Sequence, residues 1–318
     1  MNHQDIAQAA AILKRGGLVA FPTETVYGLG ADADNPAAVK RLYAVKGRPA
    51  AHPVIVHLAD AAQLPQWARE VPEAARKLVA AFWPGPLTLI LKRAPRVGDA
   101  ITGGQDTVGL RVPAHPVARA LLAAFGGGVA APSANRFGHV SATTAEHARE
   151  EFDGSIDLVL DGGPCEVGLE STIVDVSGER PMLLRPGRIS AEDVERALGA
   201  PLATRTDTAP RAPGTLAVHY APQTPAVLVP ATMLRDRAVD LLRRGQRVAV
   251  LAHSVPPPAA GGHLVWILSP GDAAGYAHEL YANLRHLDQA RCSVILIEQP
   301  PSAAEWAAVS DRLARTTG

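Results

Sequence analysis

Short apolar runs alternate with segments whose apolar residues recur at helical spacing, from residue 6 to residue 198. Runs such as 54–58 and 87–92 have the length and composition of buried strands. The segment 35–45 has helical spacing, and it opens with Asn35-Pro36, an N-cap residue followed by proline at the first helical position. This alternation predicts an α/β domain.

The individual elements of this first part are short. Helices are predicted at 6–13, 35–45, 72–82, 115–125 and 190–198, and Thr143 or Thr144 caps one more. Strands are predicted at 18–21, 54–58, 87–92, 108–112, 129–131, 156–160, 172–176 and 182–184. Gly28-Leu-Gly30 is interpreted as a turn after a strand.

The segment 201–224 loses this periodicity and is dominated by Pro, Thr, Ala and Gly, which predicts a flexible linker. It also contains His219-Tyr-Ala-Pro222, which is unusual chemistry for a passive spacer. The alternation restarts after it, with strands at 226–229, 247–252, 264–268 and 294–298 and helices at 233–244, 273–287 and 303–313. The predicted domains are therefore 1–200, and 225–318 as a smaller, mostly parallel, three-layer α/β domain.

Composition and charge exclude several classes of protein. Hydrophobic residues make up 47% and charged residues 19% of the chain, which is globular. Positive and negative residues balance at 31 each, which excludes a protein that coats nucleic acid through its net charge. A local basic patch that binds nucleic acid is still compatible with this balance. Cys165 and Cys292 are far apart, which excludes a disulfide framework and a cysteine-rich zinc site. With neither a signal-peptide pattern nor an apolar run of ~18 residues, we expect a soluble, cytoplasmic protein without membrane contact.

The common catalytic and nucleotide-binding motifs are missing from the sequence, and it predicts neither a catalytic triad nor a metal site. Small hydroxyls, Arg and His instead recur at the ends of predicted strands, where open α/β sheets collect ligands. Converging Arg and hydroxyl groups suit a phosphate-bearing anion. Arg111 lies in an apolar strand and needs a buried partner, which is either a ligand carboxylate or a structural Glu. Lys46 and Arg48 fit a phosphate site and a solvated helix end equally well.

Seven polar segments follow one another in a specific order along the first 187 residues. They are Phe21-Pro-Thr-Glu-Thr-Val-Tyr-Gly-Leu29, Lys46-Gly-Arg-Pro49 with Pro53-Val-Ile-Val-His57, Phe82-Trp-Pro-Gly-Pro-Leu-Thr88, Val108-Gly-Leu-Arg-Val-Pro113, Ala131-Pro-Ser-Ala-Asn135, Gly168-Leu-Glu-Ser-Thr-Ile-Val-Asp175 and Leu184-Arg-Pro-Gly187. This set resembles the YrdC-type threonylcarbamoyl-AMP synthase family. With the linker and the second domain, the resemblance is to the long two-domain form and covers almost the whole chain. One departure is His52, where the family usually has Asn.

The resemblance implies a fold, an activity and partners. The fold would be a twisted, open, mixed sheet with helices, followed by a smaller Rossmann-like α/β domain. The reaction would convert L-threonine, bicarbonate or CO₂, and ATP, with Mg²⁺, into threonylcarbamoyl-AMP, pyrophosphate and water. The product would pass to the tRNA threonylcarbamoyl-transfer machinery that modifies adenosine 37, and direct RNA contact is left open. Such chemistry needs no covalent enzyme intermediate, so positioning and charge stabilisation suffice.

The resemblance also implies roles for single residues. Arg111 would pair with the threonine carboxylate, and Lys46 and Arg48 would be the catalytic cations. The remaining threonine-binding residues would be Thr25, His57, Ala131 (through its backbone) and Ser171. The nucleotide and bicarbonate site would add His52, Thr107, Ser133, Asn135, Ser141, Arg185 and, folded back from the linker as a lid, Tyr220. Ser171 and Thr107 could instead be structural, and Tyr220 could pack permanently between the domains.

Two other functions compete with the synthase. A carbamoyltransferase of hydrogenase maturation contains a similar domain, but this chain lacks the zinc-finger Cys pairs and the acylphosphatase segment that accompany it. A non-catalytic module that binds double-stranded RNA on a basic concave surface is the second alternative. Release of pyrophosphate from ATP in the presence of threonine and bicarbonate distinguishes the synthase from the RNA-binding module.

Overall fold

The computed structural model describes residues 3–206, 208–214, 220–259 and 263–317. The described residues within Met1–Phe137 and Ala142–Thr215 form one compact unit, and those within Gly138–Ser141 and Leu216–Gly318 form a second. Within the described ranges, no helix is both long and apolar enough to cross a membrane.

The first unit contains nine strands and eight α-helices among its described residues. The strands are β1 (Val19–Phe21), β2 (Gly28–Asp32), β3 (Ile55–His57), β4 (Leu87–Lys92), β5 (Thr107–Arg111), β6 (Val129–Ala130), β7 (Leu158–Val159), β8 (Thr172–Asp175) and β9 (Met182–Arg185). The helices are α1 (His3–Lys14), α2 (Pro36–Lys46), α3 (Leu64–Trp67), α4 (Glu73–Phe82), α5 (Asp99–Thr102), α6 (Pro116–Phe125), α7 (Ala145–Phe152) and α8 (Ala191–Leu198).

The nine strands form a single mixed sheet in the order β7-β1-β2-β6-β3-β5-β4-β8-β9. The parallel pairs are β1 with β7, β3 with β5 and β4 with β8, and the other neighbours are antiparallel. The mixed α/β architecture expected from the sequence is therefore confirmed. Helices α1 and α6 pack on β1 and β6 through an apolar cluster that includes Ile12, Leu122 and Phe21.

The interpretation of Gly28-Leu-Gly30 as a turn is wrong, because these residues belong to β2. A Cβ atom on Gly30 would lie 2.9 Å from the Phe21 ring and 2.9 Å from Val129. The glycine therefore lets β2 pack closely against β1 and β6, a use of glycine that the sequence alone does not distinguish from a turn.

The second unit has a four-stranded, fully parallel sheet in the order β10-β13-β11-β12. Its strands are β10 (Ala226–Val229), β11 (Val248–Ala252), β12 (Leu264–Leu268) and β13 (Val294–Glu298), and its helices are α9 (Ala231–Arg243), α10 (Ala273–Gln289) and α11 (Ala307–Thr316). Leu234 and Ala238 of α9 pack with Val248 and Val250 on one face of this sheet. This arrangement confirms the parallel α/β domain predicted from the sequence.

The described part of the linker before residue 215 is packed against the first unit. Ala203 N–H donates to the Pro181 carbonyl (2.8 Å), and Arg211 N–H donates to Oε1 of Gln105 (2.7 Å). Ala212 is 6% exposed and packs with Ile55 and other residues of the sheet. The prediction of a flexible linker is wrong for this part, because small residues allow the chain to lie directly on an apolar sheet face.

Candidate active site

A row of side chains crosses one face of the mixed sheet, from β3 to β9. His57 of β3 pairs with Arg111 of β5. The pairing of β4 with β5 includes Leu89 and Leu110, so the next residues along, Thr88 and Arg111, also stand opposite each other. Thr88 in turn pairs with Ile173, and Ile173 pairs with Arg185. Directly paired residues point to the same face of a sheet, so four polar side chains from different strands share this row with one isoleucine.

Arg111 is held by three groups at the end of β5. Nη2 lies 2.7 Å from Oε1 of Glu24, and this ion pair is almost completely buried, with side-chain exposures of 4% and 6%. Nη1 donates to Oγ1 of Thr25 (2.9 Å), and Nε donates to the carbonyl of Gly85 (3.1 Å). The structural Glu that the sequence left as an alternative is therefore present. Nη2 of Arg111 and Oε1 of Glu24 meet as an ion pair without hydrogen-bond geometry, and neither atom has a hydrogen-bond partner among the described residues. A guanidinium has five N–H groups, so even with one N–H of Nη2 set aside for Glu24, one on Nη1 and one on Nη2 remain for a ligand.

Ser171 lies between Thr88 and Arg185, immediately before β8. Its hydroxyl is 2.8 Å from Oγ1 of Thr88 and accepts a hydrogen bond from Nη2 of Arg185 (3.2 Å). Nη2 of Arg185 also donates to the Ser171 carbonyl (2.9 Å), and Nη1 donates to the carbonyl of Pro213 in the linker (2.9 Å). Arg185 therefore joins the predicted threonine site to the packed linker.

His57 is buried next to Arg111, and its Nδ1 has no hydrogen-bond partner among the described residues. Burial and then the nearby positive charge of Arg111 lower the pKa of His57 well below its ordinary value. The imidazole is therefore neutral at physiological pH. Its only aromatic neighbour recorded among the described residues is Phe21, edge-on at 6.0 Å.

A second polar group surrounds the C-terminal end of α2. The ammonium of Lys46 is buried and donates to the carbonyl oxygens of Ser133 (2.6 Å) and Asn135. The amide of Phe137 donates back to the Lys46 carbonyl (2.8 Å). Burial and then the charge of Arg48 lower the pKa of Lys46 well below its ordinary value. An anion bound beside Lys46 would offset both effects and favour its charged form.

Arg48, His52 and Phe137 lie against one another in this group. The guanidinium of Arg48 stands 5.8 Å from the centre of the Phe137 ring, and Nη2 donates to the carbonyl of Pro53 (2.7 Å). The His52 ring packs on the same Phe137 ring at 5.4 Å and 62°. Burial, then the charge of Arg48, lowers the pKa of His52. If His52 lies beside the nucleotide, as predicted, a neutral imidazole would offer it a hydrogen bond instead of a positive charge.

The two groups are connected through the chain after β6. Ala131, assigned to threonine, lies two residues before Ser133 and four before Asn135, and its amide donates to the Ile55 carbonyl (2.9 Å). Thr107 is buried but stands at the opposite end of β5 from Arg111, about 13 Å away at ~3.3 Å per residue. The structure thus separates Thr107 from Arg111, and its assignment to the nucleotide stays a prediction.

Ser141 and Tyr220 belong to the second unit. The Ser141 carbonyl accepts a hydrogen bond from Nε of Arg285 (3.4 Å). The Tyr220 ring is 1% exposed, stacks on Tyr281 at 5.6 Å and faces the guanidinium of Arg312 at 5.5 Å. His219 lies outside the described residues. The assignment of Ser141 and Tyr220 to the nucleotide therefore stays a prediction.

Sequence reasoning missed three groups in this site: the carboxylate of Glu24, the hydroxyl of Thr88 and the carbonyl of Gly85. Glu24 and Thr88 lie within two of the seven ordered segments, and this position was the only feature of the sequence that pointed to a role in the site. Each acts on another side chain of the row, and such a role depends on sheet register rather than on residue type.

Among residues 3–206, 208–214, 220–259 and 263–317, no group of three or more His, Cys, Asp and Glu side chains could hold a metal ion. The cations and hydroxyls of the site are instead suited to binding anionic oxygens.

Two family models together match almost the whole chain. Residues 11–187 match the model named for Sua5, YciO and YrdC, which is described as "Telomere recombination". Residues 189–318 match the model described as "Threonylcarbamoyl-AMP synthase, C-terminal domain".

Curated relatives and solved structures agree with these matches. The threonylcarbamoyl-AMP synthase of Pyrococcus abyssi is 41% identical over 323 residues, covering 98% of this chain and 93% of the relative. That of Bacillus subtilis is 39% identical over 327 residues, covering 100% and 94%. The crystal structure of P. abyssi Sua5 complexed with L-threonine matches with a TM-score of 0.92 and 37% identity, covering 100% of this chain and 95% of that chain.

Proposed function

The chain belongs to the Sua5, YciO and YrdC family in its two-domain threonylcarbamoyl-AMP synthase form, and from this premise we propose that it makes threonylcarbamoyl-AMP from L-threonine, bicarbonate or CO₂, and ATP. The observation that carries the proposal is the match of nearly the full chain to threonylcarbamoyl-AMP synthases, and the similarity of its structure to P. abyssi Sua5 complexed with L-threonine supports it. The two polar groups described above give each substrate a chemically suitable place.

L-Threonine would bind along the row on the sheet face. Its carboxylate suits the two N–H groups of Arg111 that remain after Glu24, Thr25 and Gly85 are satisfied. Glu24 keeps the site close to neutral before the substrate arrives, so Arg111 does not stand as an unpaired buried charge.

The amine must be uncharged to attack CO₂, and the neutral His57 beside Arg111 fits that requirement. Its unpartnered Nδ1 can accept an N–H of the substrate or donate to an oxygen, according to its tautomer. In the first step, the amine nitrogen bonds to the carbon of CO₂ and one C=O π bond breaks, which gives a carbamate. The proton lost by the amine passes to bicarbonate, which releases CO₂ and the water of the overall reaction.

ATP would place its phosphates at Lys46 and Arg48, with Mg²⁺ arriving as part of the nucleotide complex. In the second step a carbamate oxygen bonds to the α-phosphorus, the bond from this phosphorus to the bridging oxygen breaks, and pyrophosphate leaves. Lys46 would be charged in this complex, where it offsets negative charge that develops on the phosphates. Buried donors aimed at that charge act without reorganisation during the reaction.

The product is a mixed anhydride, which suits transfer of the threonylcarbamoyl group to an amine. We assign the amine to adenosine 37 of tRNA, through a downstream transferase in the cytoplasm. Since water hydrolyses such an anhydride, the product would be transferred rapidly to the downstream enzyme or remain shielded from water in the active site.

The test is threonine-dependent pyrophosphate release by the full chain with MgATP in bicarbonate buffer. Incorporation of radiolabelled bicarbonate into an adenylate identifies the product. The matched controls omit threonine or replace it with L-valine, which has the same shape but no hydroxyl. Pyrophosphate release that is independent of threonine, or none at all from the folded protein, would overturn the proposal.

A further inference from the structure

The segment from Trp83 to Thr88 belongs to the ordered motifs, yet the reaction as described gives Thr88 no role. This segment supplies two hydrogen-bonding groups to the site. The Gly85 carbonyl accepts from Nε of Arg111, and Oγ1 of Thr88 lies 2.8 Å from Oγ of Ser171. Both Thr88 and Ser171 are buried, with exposures of 0% and 1%.

We propose that Thr88 is a positioning residue: it turns the hydroxyl hydrogen of Ser171 toward the bound amino acid, so that Ser171 acts as a donor to a substrate oxygen. This inference rests on the proposed function, because the oxygen belongs to L-threonine or to its carbamate.

A serine hydroxyl has one hydrogen and two lone pairs. One lone pair of Ser171 receives the N–H from Nη2 of Arg185 at 3.2 Å. If Thr88 donates to Ser171, the second lone pair is also filled, and the hydrogen of Ser171 has to find an acceptor elsewhere.

The opposite orientation is less favourable once a ligand oxygen lies beside Ser171. If Ser171 donated to Thr88, the hydrogen of Thr88 would need its own acceptor, and the Thr88 hydroxyl has no second partner among the described residues. A buried hydroxyl hydrogen without an acceptor costs about 1–3 kcal/mol. Without a ligand, either orientation leaves one of the two hydroxyl hydrogens without an acceptor. Ser171 is the member of the pair assigned to threonine, so a ligand oxygen can supply the missing acceptor there.

The backbone holds this pair in register. The amide of Thr172 donates to the Pro86 carbonyl (3.0 Å), and Leu87 pairs with Thr172 in the parallel β4–β8 ladder. The separation between Thr88 and Ser171 is therefore set by the ladder, and a change of the Thr88 side chain leaves the Ser171 backbone in place.

Thr88→Val tests the proposal, since it removes the hydroxyl at nearly constant shape, and Thr88→Ser is the rescue that keeps it. We expect Thr88→Val to raise the apparent KM for threonine about tenfold, the effect of one misaligned hydrogen bond to a ligand, with the KM for ATP within about twofold. Thr88→Ser should stay within about threefold of the parent. The matched control Thr102→Val removes another fully buried threonine hydroxyl, outside the row, and should leave both KM values unchanged.

Ser171→Ala provides the second arm. If Thr88 acts through Ser171, Thr88→Val should add less than about twofold to the threonine KM in the Ser171→Ala background. Equal and additive effects in both backgrounds would overturn the proposal, as would an unchanged threonine KM in folded Thr88→Val. If Thr88→Val does not fold, the comparison of Thr88→Ser with Thr88→Ala isolates the hydroxyl in the same way. An unmutated chain without threonine-dependent activity would instead refute the proposed function.

Discussion

The buried ion pair between Arg111 and Glu24 should make Arg111→Met strongly destabilising, and Glu24→Gln should recover part of the loss. The pair is 2.7 Å apart with side-chain exposures of 4% and 6%, so Arg111→Met leaves a buried carboxylate without its counter-charge. Removing one member of such a pair costs about 3–5 kcal/mol. That is a large fraction of the ~5–15 kcal/mol that stabilises a typical folded domain.

The contacts of Arg111 indicate how much of the lost free energy of unfolding Glu24→Gln should restore. Arg111 also donates to Thr25 and to Gly85, and these two hydrogen bonds are worth roughly 1 kcal/mol each. They are lost in the single and in the double variant. The remaining ~1–3 kcal/mol reflects the stranded charge, and Arg111→Met with Glu24→Gln should regain it, because a glutamine oxygen can still accept from Ala114 N–H as Glu24 does at 3.0 Å.

Equilibrium urea unfolding followed by tryptophan fluorescence measures this cycle. Trp67 and Trp83 report on the first unit, and Trp266 and Trp306 report on the second, whose transition should not move. Arg69→Met is the matched control, since its pair with Asp106 at 2.9 Å is about half exposed on both sides and should contribute no more than ~1 kcal/mol. If the double variant is as unstable as Arg111→Met, the uncompensated charge is not the cause and the reasoning fails.

Burial lowers the pKa of His57 and Lys46 and raises that of Cys165, and each shift has a measurable consequence. Burial lowers the pKa of His57, so between pH 6.5 and its folded-state pKa the unfolded chain binds more protons than the folded chain. Lowering the pH through this range should therefore destabilise the parent more than His57→Gln, by up to ~1.4 kcal/mol per pH unit. Urea unfolding at several pH values measures the difference. The pKa of Lys46 is also lowered, so the parent should gain stability relative to Lys46→Met as the pH rises toward 10.5, and a constant difference would contradict this. Burial raises the pKa of Cys165 to about 12, so the native protein at pH 8 should resist alkylation there, which mass spectrometry of the labelled peptide checks.

Local signals in the sequence were reliable where one segment determines its own structure. The Asn35 cap and Pro36 predicted the start of α2, and Asn35 does accept from the amides of Ala37 and Ala38. The four strands of the second unit also lie within a residue of their predicted positions, because each is a single apolar run in a parallel sheet.

Pairings across the sheet could not be predicted in the same way. The need of Arg111 for a buried partner was evident, but the choice of Glu24, 87 positions earlier, depends on how the loop after β1 meets the end of β5. Composition also misjudged the linker, where Ala212 packs against an isoleucine-lined sheet face.

The segment from Phe82 to Thr88 shows why a motif can be specific without carrying reactive groups. A Cβ atom on Gly85 would stand 2.3 Å from the Phe82 carbonyl, so only glycine fits there, and the Gly85 carbonyl is then free to face Arg111. Three residues later, Thr88 contacts Ser171 from the neighbouring strand. A shift in this segment would therefore disturb Arg111 and Ser171 together. The Gly85 carbonyl and the Thr88 hydroxyl each orient a side chain that we assign to substrate binding, which explains why residues with no reactive group of their own belong to this motif.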